Sequence, residues 1–209
     1  MKLWLSWTLI TALGWLISAY LGAFIGFEDD TAYIASFFNV GNNFEWGIVY
    51  GLIYGLIVGI SSWVFLHNRI RLSALWIPLT FLGFAIGNGL GSYLNAWAYD
   101  NIEAVDSGVQ LFLDSWYGIV NGFWVALCQS FVLRNTHINA YSWFKAAWLS
   151  IALGEFLGWA ILWQILPIAL LDFSPALADM MAGSLVGLIV GGITGLVLIA
   201  APQETDLFD

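Results

Sequence analysis

The chain is patterned in long apolar blocks separated by short polar connections. Six windows reach the roughly 20 apolar residues that a membrane-spanning helix needs: about 4–26, 46–66, 76–98, 113–133, 145–170 and 178–201. The apolar residues fill these windows on every side rather than along one stripe, which argues against surface helices. Alternating strands of about 10 residues, the mark of a membrane barrel, are missing from the pattern. The pattern therefore predicts an all-α membrane protein, a single transmembrane domain over 1–209 with an acidic tail at 202–209. The first window is longer than the roughly 7–15 apolar residues of a signal peptide and contains Trp4, Trp7 and Trp15, so it is expected to be a retained span.

Composition points the same way. Of the 209 residues, 61% are apolar and 9% charged, against about 25% charged in a soluble domain. A net charge of −9 with five scattered basic residues argues against a nucleic-acid partner. The single cysteine, Cys128, lies in an apolar run and reads as a small core residue. The sequence supplies no ligand set for a cofactor or metal, and membrane lipids are the expected partners.

Charge also orients the spans. Lys2, Arg69, Arg71, Arg134 and Lys145 all fall on one side of the predicted bundle, which the positive-inside rule makes cytoplasmic, with both termini inside. The opposite side carries Glu28, Asp29, Asp30, Glu45, Asp100, Glu103, Asp106, Asp114, Asp172 and Asp179, read as a solvated acidic surface in the outer loops. Tryptophans near the span ends are expected to form interfacial belts, Trp4, Trp7, Trp63, Trp76 and Trp143 inside and Trp46, Trp97, Trp116 and Trp163 outside. Trp15, Trp124 and Trp159 fall deeper and read as core or as a hydrophobic-ligand wall. His67 and His137 belong to the inner connections, as solvated or headgroup-contacting residues.

The chain resembles itself. A shift of 67 residues carries Gly51, Gly55, Val58, Leu66, Asn68, Trp76, Gly87 and Gly91 onto Gly118, Gly122, Val125, Leu133, Asn135, Trp143, Gly154 and Gly158. A fainter third copy follows at 69 residues, Trp7, Gly14 and Gly22 matching Trp76, Gly83 and Gly91. This predicts three parallel two-helix repeats, about 4–66, 76–133 and 143–201, around a pseudo-threefold axis along the membrane normal. Glycines recur every four residues on the second helix of each unit: Gly51, Gly55, Gly59; Gly118, Gly122; Gly183, Gly187, Gly191, Gly195. Such stripes let helices approach closely in lipid, so helix packing is their expected role.

The stretch GIVNGFWVALCQSFVLR (118–134), followed by WFKAAWLSIALGEFLGW (143–159), resembles an uncharacterised group of Gly- and Trp-rich polytopic membrane proteins from photosynthetic bacteria, chiefly cyanobacteria. Gln129, Leu133 and Arg134 match that pattern, whereas Ala126 and Ser130 replace its usual Gly and Trp. The resemblance implies a plasma (inner) or thylakoid membrane and no particular activity. Mitochondrial carriers also have six spans in three repeats, but their Pro-x-acid-x-x-base motif is missing from spans 1, 3 and 5.

Glu155 is the one ionisable residue predicted deep in a span, ten residues beyond Lys145 or about 15 Å along a helix. A bare charge there costs several kcal/mol, so the carboxyl should be hydrogen-bonded or protonated, and such a residue is a functional candidate. The repeat aligns it with Asn88 and Ala19. Asn95, Asn121, Gln129 and Gln164 add amides, giving a candidate polar site between spans 3, 4 and 5. Catalytic constellations are not found in the sequence: the histidines lie in loops, and no zinc or phosphate motif occurs. The expected role is therefore non-enzymatic, an accessory or assembly subunit binding another membrane complex or a second copy of itself, or a protein that binds lipids or a hydrophobic ligand. The competing reading is a transporter or channel with Glu155 as its coupling site.

Overall fold

The computed structural model describes residues 2–26, 43–102, 107–161 and 175–201. Among these every regular element is helical: α1 (Lys2–Gly26), α2 (Asn43–Ile70), α3 (Trp76–Asn101), α4 (Ser107–Leu133), α5 (Ala140–Glu155) and α6 (Pro175–Ala200). A π-helical segment, Phe156–Ile161, continues α5. Five helices (α1, α2, α3, α4 and α6) are long and apolar enough to cross a membrane, so the protein is a membrane-embedded helical protein. The expected fifth span begins as α5, but 162–170 lie outside the described residues, as do the tail 202–209 and the side chains of Trp159, Trp163 and Gln164.

Helix ends follow local chemistry. Asn139 caps α5 by accepting the Ser142 N–H at 3.0 Å. Pro175 opens α6, where a missing N–H costs nothing. Beyond α2, Arg71 takes the left-handed conformation (φ 49°) that turns the chain into α3. The basic residues of this end lie over aromatic rings: Arg69 over Phe65, Arg134 over Phe131 and Lys145 over Tyr141.

Each helix runs antiparallel to its neighbours and α6 closes back on α1. The glycine stripes sit at three of these contacts. Gly51, Gly55 and Gly59 meet α3, Gly118 and Gly122 meet α5, and Gly183, Gly187 and Gly191 meet α1. A methyl group at Gly55 would come within 2.6 Å of Phe81 Cα, and one at Gly187 within 2.6 Å of Ala12 Cα. Such approach leaves no room for a side chain and maximises dispersion between backbones.

The interior is layered. Nearest the basic end, Trp7, Trp76 and Trp143 pack with Leu66, Leu133, Ala147 and Leu198. The next layer combines Trp15, Tyr54, Val58, Phe84, Val125, Ile151, Val186 and Val190, so that all six helices contribute. Trp15 meets Tyr54 and Phe84 edge-on at 5.7 and 5.5 Å, which makes it a core residue.

Two expectations are corrected here. Trp7, Trp76 and Trp143 are not belt residues: they are 2%, 0% and 1% exposed. Closeness to a span end sets a residue's depth but not which way it faces, and these three face inward with satisfied N–H groups. Trp7 donates to Thr194 at 2.9 Å, Trp76 to Ser62 at 2.8 Å and Trp143 to Gln129 at 3.1 Å. Trp97 and Trp116 are exposed, as a belt requires. The acidic residues are likewise not all in loops. Glu45, Asp100, Asp114 and Asp179 belong to α2, α3, α4 and α6, and Asp179 is buried. Glu28, Asp29, Asp30, Glu103, Asp106 and Asp172 lie outside the described residues.

Candidate polar site within the bundle

One helical turn beyond the second core layer, toward the acidic end, the same inward-facing columns turn polar. Phe84 is followed by Asn88 on α3, Val125 is preceded by Asn121 on α4, and Ile151 is followed by Glu155 on α5. Four residues is close to one turn, so each polar group stands over an apolar one. Asn88, Asn121 and Glu155 are all buried.

These groups form one directional chain of hydrogen bonds. The Tyr117 hydroxyl donates to Asn88 Oδ1. Asn88 Nδ2 donates to Asn121 Oδ1 at 3.1 Å and to the Phe84 carbonyl at 2.9 Å. Asn121 Nδ2 then donates to Glu155 Oε1 at 3.3 Å. An amide donates from nitrogen and accepts at oxygen, so the chain orders the carboxyl rather than relaying a proton along itself. Gly118 brings α4 against α5 at this level: a methyl there would lie 2.6 Å from Glu155 Cβ. The π-helical segment begins at the residue after Glu155, a helix irregularity that recurs at functional sites.

The chain borders a cavity of about 240 Å³, walled by Tyr50 and Tyr54 from α2, Asn88 and Asn95 from α3, Tyr117 and Asn121 from α4, and Glu155 from α5. Each of these described wall residues carries a polar side-chain atom. Tyr50 donates to Tyr54 at 3.1 Å. Asn95 Oδ1 is shielded from solvent and has no hydrogen-bond partner among the described residues. A second cavity of about 440 Å³ shares the walls Asn95 and Tyr117 and continues along Ser92 to Asn43 and Asp100, at the acidic ends of α2 and α3. Toward the basic end the two buried layers lie in the way.

Of the sequence-derived candidates, Asn88, Asn95, Asn121 and Glu155 come together. Gln129 does not join them: it holds the Trp143 indole and donates to Thr80 at 3.3 Å, in the tryptophan layer. Gln164 lies outside the described residues. The tyrosines were missed, although the shift of 67 that pairs Asn88 with Glu155 also carries Tyr50 onto Tyr117 and Tyr54 onto Asn121. No cluster of metal-ligating side chains occurs among the described residues. Comparison with protein-family models, curated proteins and solved structures gives no match for this chain.

Proposed function

We propose that this membrane protein binds a small polar solute at Glu155 and acts as a carrier, with Glu155 as the coupling site. The observation that carries this reading is the gathering of three amides, three phenols and one carboxyl among the cavity's described wall residues, at membrane depth where polar groups are costly unless they are used. Continuity with the second cavity on one side, and two packed layers on the other, give the one-sided closure that alternating access needs. A volume of about 240 Å³ falls below the roughly 300–1,000 Å³ of drug-sized pockets, so the occupant is small. An apolar ligand would leave Asn95 Oδ1 and the spare acceptor capacity of the Glu155 carboxyl without partners, which weighs against a hydrophobic-ligand site.

Three parallel repeats belong to the same proposal. The pairing of α2 with α3, α4 with α5 and α6 with α1 supports them, as do the indole donors Trp76, Trp143 and Trp7 across those contacts. On this reading the polar site is a feature of two copies, since Ala19 stands where Asn88 and Glu155 stand in the others. The basic end faces the cytoplasm and the acidic end the opposite side, in a plasma or thylakoid membrane.

The test is gentle-detergent purification from native membranes of the wild type and Glu155→Gln, with native mass spectrometry of what remains bound. A small polar molecule carried by the wild type and lost from the variant is expected. A stoichiometric membrane-protein partner retained equally by both, with no small molecule, would instead make the protein an accessory subunit.

A further inference from the structure

The hydrogen-bonding balance of the cavity restricts its occupant, given the reading of it as a solute site. Asn88 directs its amide donors into the wall, to the Phe84 carbonyl and Asn121, and Asn121 directs one of its own to Glu155. Tyr117 and Tyr50 direct theirs to Asn88 and Tyr54. Two acceptors on the wall keep unused capacity. Asn95 Oδ1 has no donor, and Glu155, which has about four lone-pair positions when ionised, accepts from Asn121 alone among the described residues. No Lys, Arg or His is among the described wall residues. The chain's five Lys and Arg residues fall at the opposite end of the helices, and Asp100 borders the adjoining cavity.

We propose that the solute is a small organic cation of the protonated-amine class, its ammonium group set between Glu155 and Asn95. An anion would face the carboxylate with no basic side chain among the described wall residues to offset it, and a neutral solute would leave the carboxylate's charge uncompensated at depth. A bound Ca²⁺ takes about six to eight oxygen ligands, carboxylates prominent among them, and the described wall offers a single carboxyl. Tyr50, Tyr54 and Tyr117 provide aromatic surface, which attracts organic cations.

The test measures the rate at which a thiol in the cavity reacts with small methanethiosulfonates of different charge. The full-length Asn95→Cys protein, in a Cys128→Ala background, is treated with ethylammonium, neutral methyl and sulfonatoethyl reagents, with rates corrected for intrinsic reactivity. The ammonium reagent should react roughly tenfold or more faster than the sulfonate, as an electrostatically focused site requires. Methylammonium chloride should slow that reaction more than equal sodium chloride, and Glu155→Gln should abolish the preference. Should Asn95→Cys fail to fold, Ser92→Cys in the adjoining cavity serves with the same expectations. Equal rates, a faster sulfonate, or a preference that survives Glu155→Gln would overturn the cation assignment and leave the solute-site reading standing. No reaction at either position, with the thiol titratable after denaturation, would remove that reading as well.

Discussion

At the scale of single residues, the interior depends on polar groups placed against partners rather than on hydrophobicity alone. Trp143 shows this best. Its indole donates to Gln129 and its ring meets Trp7 and Trp76 at 6.0 and 5.7 Å. Trp143→Phe keeps much of the packing but leaves Gln129 Oε1 without that donor, and should cost about 1–3 kcal/mol. Adding Gln129→Leu should restore part of the loss, because removing both partners is milder than orphaning one. Trp97→Phe, at a position 57% exposed, should stay within about 0.5 kcal/mol. Thermal unfolding of the purified variants in one detergent measures all three. Glu155 follows the same logic. Glu155→Gln keeps an acceptor for Asn121 and should fold with wild-type stability, whereas Glu155→Leu orphans Asn121 Nδ2 and should cost about 1–3 kcal/mol. Equal stability of the two variants in the same assay would contradict the hydrogen-bond chain.

At the scale of helices, the controlling quantity is how closely backbones approach. The glycines differ measurably in this. A Cβ at Gly51 would collide with the Phe84 backbone, while one at Gly192 would find its nearest neighbour, Trp4 Cζ2, 3.9 Å away. Gly51→Ala should therefore destabilise by about 1–3 kcal/mol through overpacking, and Gly192→Ala should be neutral or slightly stabilising. Equal effects of the two would mean that α2 and α3 are not packed backbone to backbone. Most of the helix pattern was legible in sequence, because a span needs an uninterrupted apolar window and little else. The edges were less so: α4 begins at Ser107 rather than near 113, since a polar residue such as Gln110 ends an apolar window without ending a helix. The direction in which Trp7, Trp76 and Trp143 point was also hidden, because windows that are apolar all round carry no signal for which side faces the protein. The π-helical segment after Glu155 has no sequence signature in FLGWAI.

At the scale of the whole molecule, the bundle has a basic end closed by tryptophans and an acidic end into which the polar cavity extends. Half of this site was legible in sequence: the shift of 67 residues aligns Asn88 with Glu155, and both border the cavity. Gln129, expected at the same site as an amide of the same span, is not there, because sharing a helix does not fix depth or partner across the bundle, and Gln129 stands two turns from Asn121 toward the basic end. The central claim is that a polar cavity at Glu155 is reached from the acidic end alone. It is tested most directly by labelling Asn95→Cys, in the Cys128→Ala background, with a membrane-impermeant thiol reagent added separately to each side of sealed vesicles. A tag on the C-terminus, which follows the basic end of α6, reports orientation. Labelling from the acidic side and protection from the basic side is the predicted result. Labelling from the basic side, or none from either side, would contradict the account.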